Sequence, residues 1–287
     1  MALKVMVIMG GPSEEHDVSR RSGQGVLEAL ARRQWVAEPL VIPRTACVDE
    51  AMEHARHGLT QARADIVFIA LHGPFGEDGT IQQLCEELHL PYTGSDVLAS
   101  RLGMDKVASK RRFEEAGLCV PRWRVIEAST TFVSRDLEGL TYPLVVKPTR
   151  SGSSFGVSIV EHADGLATAI AKAAQYGSAV LVEEFIAGRE LTVGILGDAP
   201  LPVIEIRPHQ GFFDFRAKYT PGATEYLVPA PIAADVAAAV QAVGLTAHRA
   251  LGCRHLSRAD LILDAHNVPM LLEVNTIPGF TPTSLLP

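Results

Sequence analysis

Cysteine is sparse in this 287-residue chain, and its four residues, Cys47, Cys85, Cys119 and Cys253, form no CxxC pair. That spacing predicts buried free thiols in a reducing compartment, which makes the cytoplasm the expected location. No window reaches the ~18 consecutive apolar residues of a membrane span. The apolar start MALKVMVIM runs into Gly10-Gly11 and then Glu14, Glu15, His16 and Asp17, which is unlike a signal-peptide cleavage region. A basic excess is also missing. Lys and Arg number 26 against 33 Asp and Glu, a formal net charge of −7. A nucleic-acid binder driven by overall charge is therefore not expected, although local basic patches stay open. The chain has no GxxxxGK[ST] loop, and Gly10-Gly11 does not complete a GxGxxG. It also shows no internal repeat and no low-complexity linker.

What is present is an ordinary globular mixture, 47% hydrophobic and 21% charged, which excludes a disordered chain. At roughly 150 residues per domain, the length suggests two domains or three small ones. Leu3–Met9 reads as a buried strand ending at a glycine turn, followed by a helix with Val18, Ser22, Val26, Leu27 and Leu30 on one face. Val36–Ile42 and Asp65–Leu71 read as further strands, and Gly79–Leu88 as a helix. Strands alternating with helices predict a parallel α/β unit to about residue 100. One helix is expected over Ser100–Gly117, with Lys110 on a solvated face. Beyond it, strand-like runs at Tyr142–Lys147, Val157–Val160, Val180–Glu184, Glu190–Leu196 and Val203–Ile206, with a helix at Leu166–Gln175, predict antiparallel α+β structure.

The segment Arg258–Asn275, RADLILDAHNVPMLLEVN, reads as a β-hairpin. A turn centred between His266 and Asn267 puts Asp260 opposite Glu273 and Arg258 opposite Asn275. Leu261, Leu263, Leu272 and Met270 then share the apolar face. Facing carboxylates repel, and two readings offset that. A divalent cation would use Asp260, Glu273 and the Asn275 amide oxygen. Alternatively, the face is solvated and Arg258 neutralises Asp260. A second segment, Tyr142–Pro148, carries Lys147 into the loop TRSGSSFG. Such a loop can turn backbone N–H groups toward an anion, or it can be a surface hairpin.

An ordered set of motifs runs through the chain: GGPSEEHDVSRRSG, ALHGPFGEDGTIQ, LPYTGS, MDKVASK, VVKPTRSGSSFGVS, EEFIAGRE, FDFRAKY, SRADLILD and NTIPGFTPTSL. This set resembles the ATP-grasp superfamily and, within it, the D-alanine–D-alanine ligases of peptidoglycan synthesis. The resemblance implies an ATP-grasp fold of α/β and α+β domains: an N-terminal parallel α/β domain (1–100), a central domain (101–187) and a C-terminal domain (188–287). It also implies that the family's terminal helix is missing here.

Ligation of two D-alanines through an acyl phosphate is the implied activity, with ATP and two Mg²⁺ ions that Mn²⁺ can replace. Lys106 and Lys147 would contact ATP phosphates, and Ser153 and Ser154 would lie in the loop that covers them. Lys218, counted with the nucleotide contacts, and Tyr219 would sit on a mobile loop, roughly 209–226, that closes over the site. Glu183, Glu184 and Ile186 would line the adenine hinge, and Glu190 would bind the ribose. Asp260, Glu273 and Asn275 would hold metal. Glu15, with Val18 and His72 nearby, would anchor the first D-alanine, and Ser153 and Tyr219 would complete the catalytic set. Arg258 and the Gly279 N–H would meet the oxyanion, while Ser284 and Leu285 would position the second D-alanine. Tyr219, linked through Ser153 to Glu15 in the family, stands where D-lactate-using relatives have Phe, which favours dipeptide formation; D-serine is less well excluded. Phe155 stands where Val is more usual. A homodimer is implied, with no nucleic-acid or membrane partner. Another ATP-grasp amino-acid ligase and a non-catalytic ATP-binding relative are the alternatives.

Overall fold

A computed structural model describes residues 3–127, 137–209, 220 and 222–287. The first sheet is parallel, in the order β2-β1-β3, from β1 (Lys4–Gly10), β2 (Val36–Ile42) and β3 (Ile66–Ile69). Helices α1 (His16–Arg32) and α2 (Val48–Ala62) are the crossovers, and α3 (Thr80–Glu87) follows β3. Strand β1 is buried almost throughout, as its unbroken apolar run requires. Its alternate side chains feed two cores, Met6 and Ile8 one, Val5, Val7 and Met9 the other.

The expected helix over 100–117 is two helices, α4 (Val97–Met104) and α5 (Lys106–Glu115). Asp105 separates them because its extended backbone ends one helix while its carboxylate caps the next, accepting from Val107 N and Ala108 N. The break makes Lys106 the first residue of α5 and ties its N–H to the Thr149 carbonyl. Helix α5 presents Phe113 to the core of the third sheet.

The second sheet is antiparallel, β4-β7-β5-β6, from β4 (Trp123–Glu127), β5 (Leu144–Pro148), β6 (Ser158–Val160) and β7 (Ala179–Glu184). One face, with Leu144, Val146, Val180 and Val182, packs on α6 (Leu166–Ala173). The other face carries Lys147 and Glu183. The third sheet is also antiparallel: β8 (Gly188–Leu196), β9 (Ala199–Pro200), β10 (Ile204–Pro208), β11 (Thr224–Leu227), β12 (Leu256–Asp264) and β13 (Pro269–Asn275). Its main order is β11-β10-β8-β12-β13, covered by α7 (Ala234–Ala250).

The hairpin β12–β13 has the expected pairs Arg258↔Asn275 and Asp260↔Glu273, but a bulge then shifts the register to Leu261↔Leu271. Leu272 is the extra residue. Leu271 and Val274 therefore join the core with Leu261 and Leu263, whereas the sequence put Leu272 and Met270 there. Leu272 faces the cleft beside Glu273 instead. A bulge lets two neighbours share a face, which strict alternation forbids. The thiols are free, but only Cys85 and Cys253 are buried; Cys47 and Cys119 are exposed.

Candidate active site

Two clefts meet where the three sheets converge. The larger, about 430 Å³, lies between the second and third sheets. Lys106, Lys147, Ser153, Ser154, Glu183, Glu184, Ile186, Glu190, Asp260 and Glu273 line it. Ile159, Ile262 and Leu272 give it apolar walls, suited to a flat aromatic base. The smaller cleft, about 90 Å³, is lined by Glu15, Val18, His72, Arg258, Asn275, Gly279, Ser284 and Leu285. Gly152, Ser153 and Glu273 border both. Each expected site residue among those described thus lines one cleft or both. Lys218 and Tyr219 lie outside the described residues.

The wall between the clefts is a strained turn. Ser153 and Ser154 both adopt left-handed backbone (φ 48° and 60°), which is uncommon for residues with a side chain and concentrates at functional loops. The Ser153 hydroxyl donates to the Glu15 carboxylate, a contact between residues 138 apart in sequence. Glu15 stands at the N-cap of α1, but its side chain makes no cap hydrogen bond and crosses to this loop instead. Gly73 permits the approach, since a Cβ there would lie 2.8 Å from Glu15 Oε2. Phe155 stacks on Tyr176 with centroids 6.3 Å apart, which braces the loop from its far side.

The cation-and-carboxylate floor is fully engaged. Arg258 donates to both oxygens of Asp260 (2.8 and 2.7 Å), Thr192 Oγ1 to one (2.6 Å) and Asn275 Nδ2 to the other (3.0 Å). Lys106 Nζ lies 3.0 Å from Glu273 and donates to the Ser151 carbonyl at 2.9 Å. The repulsion foreseen between Asp260 and Glu273 is thus offset by Arg258 and Lys106. Among the described residues, no cluster of three or more His, Cys, Asp or Glu collects to hold a metal.

Three features lay outside the sequence expectations. Lys110 is not on a solvated face. It is fully buried and lies 2.8 Å from Glu183, whose other oxygen accepts from Lys147. Burial alone would raise the Glu183 carboxyl, but Lys110 and Lys147 outweigh it and hold the group below the usual carboxylate range. Burial pushes the Lys110 ammonium below the usual lysine range, against the pull of Glu183. Glu77 is the second feature. His72 is held between Ser22 (2.8 Å) and Glu77 (3.3 Å), and burial raises the Glu77 carboxyl despite that bond. Glu77 stands within the HGPFGED motif, so the sequence offered a signal. The third is Tyr226, which lines the smaller cleft from β11. The Glu184 side chain, by contrast, turns away to Arg122 (2.8 Å at each nitrogen) and Thr141, leaving its backbone at the hinge.

On the far side of the smaller cleft, Ser284 Oγ accepts from Thr281 N at 2.9 Å and lies 2.8 Å from Thr281 Oγ1. Gly279 abuts this turn, and a Cβ on it would stand 2.6 Å from Ser284 Oγ.

Comparison with known proteins agrees with this geometry. Residues 112–287 match the family described as D-ala D-ala ligase C-terminus, and residues 45–95 match D-ala D-ala ligase N-terminus. The chain belongs to the D-alanine–D-alanine ligase family. It is 44% identical to the D-alanine–D-alanine ligase of Geobacter sulfurreducens over 99% of this chain and 87% of that one. The Bacillus anthracis ligase structure complexed with ATP superposes with a TM-score of 0.85 at 32% identity, covering 100% of this chain and 90% of the other. A D-Ala:D-Ser ligase from Enterococcus faecalis gives 0.82 at 32% identity, covering 100% and 94%. The architecture is accordingly the ATP-grasp fold of this ligase family, with a parallel α/β unit at the N-terminus.

Proposed function

We propose that this chain joins two D-alanines to D-alanyl-D-alanine at the expense of ATP, supplying peptidoglycan synthesis. The observation that carries the reading is the shared wall. A nucleotide-sized cleft and an amino-acid-sized cleft touch at Gly152, Ser153 and Glu273, so a phosphoryl group and a carboxylate can meet there. On this reading the domains are 1–100, 101–187 and 188–287, and the chain works as a cytoplasmic homodimer.

The larger cleft takes ATP. Ile262, Leu272 and the hinge Glu183–Ile186 hold the base, Glu190 the ribose, and Lys106, Lys147 and the Ser153–Ser154 loop the phosphates. Asp260, Glu273 and Asn275 offer hard oxygen donors on neighbouring strands and fit Mg²⁺ once the Asn275 amide turns its oxygen inward. Mg²⁺ bound there supplies charge neutralisation for phosphoryl transfer.

The smaller cleft takes the amino acids. Glu15 receives the ammonium of the first D-alanine and Ser153 fixes the Glu15 rotamer. Arg258, with the Gly279 N–H, faces the first carboxylate as it gains the phosphoryl group. It then stabilises the tetrahedral oxyanion when the second amine attacks. Ser284 and Leu285 hold the second D-alanine. Holding both amino acids in line contributes up to ~7–11 kcal/mol of barrier lowering. The acyl phosphate must be kept dry, a task for the loop bearing Lys218 and Tyr219.

The test is phosphate release from Mg·ATP with D-alanine, L-alanine, D-serine and D-lactate, singly and in pairs, with products identified by mass. D-alanine-dependent release giving D-Ala–D-Ala is expected. D-Ala–D-Ser as main product would favour the second reading, which the Enterococcus faecalis neighbour motivates. ATP binding without release under any pairing would refute both.

A further inference from the structure

Lys110 is a fully buried lysine that touches neither cleft, yet it is joined to the wall of the larger one. Lys147 and Glu183 sit on neighbouring strands on one face of the second sheet, one diagonal step apart (Val145 pairs with Glu183 and Lys147 with Leu181). Their side chains are ion-paired, and both line the cleft. Alone, that pair would be neutral. A lysine whose charge is matched by its own carboxylate attracts a phosphate weakly, because the carboxylate repels what the ammonium attracts. Lys110 changes the balance. It reaches Glu183 from α5 at 2.8 Å, so one buried carboxylate faces two ammonium groups and these three groups together carry one net positive charge; Glu114, which also acts on Lys110, is exposed and accepts from Trp123 Nε1. Lys110 has 0% of its side chain exposed and Lys147 10%, so the excess charge meets the cleft through Lys147. Helix α5 also carries Lys106 one turn earlier on the same side, at the cleft itself.

We propose that Lys110 is a positioning residue for the nucleotide: by sharing Glu183, it leaves Lys147 a net positive charge to offer the ATP phosphates. The inference rests on the assignment of ATP to the larger cleft. A buried ion pair is retained here although it adds little stability by itself, because removing one partner of such a cluster strands a charge. The depressed titration of Glu183 accords with two cations competing for it.

The experiment measures Mg·ATP affinity by calorimetry on the full chain, together with KM for ATP and for D-alanine. Wild type, Lys110→Met, Glu183→Gln and the double variant are compared. Lys110→Met should weaken ATP by ~10-fold or more, with KM for D-alanine within about twofold. Glu183→Gln serves as the background in which no carboxylate is left to share, since it also touches the hinge. In that background Lys110→Met should change ATP affinity by no more than about twofold, because Lys110 no longer has a carboxylate to hold away from Lys147. A packing role for Lys110 predicts the same loss in both backgrounds. Wild-type affinity in Lys110→Met, or an equal loss in both backgrounds, would overturn the proposal. If Lys110→Met does not fold, Lys110→Gln takes its place and is read in the same way. Absence of ATP binding in wild type would instead sink the assignment of the cleft.

Discussion

At the level of single residues, Asp260 and Glu273 are each held by one cation, Arg258 for one and Lys106 for the other. On the proposed reading, both cations serve the reaction as well, and Mg·ATP competes for these partners when it binds. Glu273→Gln keeps the shape and loses the charge, so Mg²⁺-dependent ADP release should fall by ~100-fold or more with the circular dichroism spectrum unchanged. Near-normal turnover would remove Glu273 from the metal set. Residues of this kind were legible in the sequence because chemistry-bearing types stood in recognisable local strings. Lys110 was not. Its neighbours Arg111 and Arg112 are polar, and the reason it is buried, Glu183, lies on another element far along the chain. A lysine is interior only where a partner holds its charge, and a linear reading does not display that partner.

Among elements, the hairpin and the α4–α5 junction mark how far pattern carries. Alternation in RADLILD and the polar turn were enough to set Asp260 against Glu273 and Arg258 against Asn275. The bulge was not legible, because Met270, Leu271 and Leu272 are all apolar and any two of them suit a core. The split at Asp105 was written in the sequence as a capping residue, but the helical run on both sides masked it. Asp105 also accepts two bonds from Arg150 (2.9 and 2.6 Å), linking the start of α5 to the loop that carries Ser153. Asp105→Ala should therefore cost about 1–2 kcal/mol in urea unfolding and raise KM for ATP, since Lys106 follows the cap directly. Unchanged stability would show that the break in the helix is held by Lys106 N and Thr149 O without the cap.

For the molecule as a whole, acid should be the sensitive axis. Glu205, buried on β10, is held below the usual carboxylate range by its bonds to Arg189 (2.7 Å at each oxygen), against burial, with Arg207 adding to the effect. Glu183 is shifted the same way. A carboxylate with a lowered folded value stabilises the fold above its unfolded value, near 4.5, and the benefit fades as pH falls through the folded value. Glu77 runs oppositely: its raised value adds stability at low pH and loses it as pH rises through that value. The two buried, cation-held carboxylates outnumber it, so the urea midpoint should drop below about pH 4.5. Glu205→Gln should lower stability at neutral pH by about 1–3 kcal/mol and flatten the acid slope. An unchanged slope would assign acid loss to other groups.

Spacing alone does not display long-range closure, although the family resemblance links Ser153 to Glu15. Ser153 meeting Glu15, and Phe280 N donating to Ser22 Oγ across 258 positions, arise only when three sheets have packed. The smaller cleft is lined by residues from Glu15 to Leu285. During translation the first sheet can fold while later residues are still being added. The wall that Ser284 and Leu285 contribute, however, forms only after both residues have emerged from the ribosome. A chain cut short before them keeps its first sheet but lacks that wall and, on the proposed reading, the seat of the second amino acid with it.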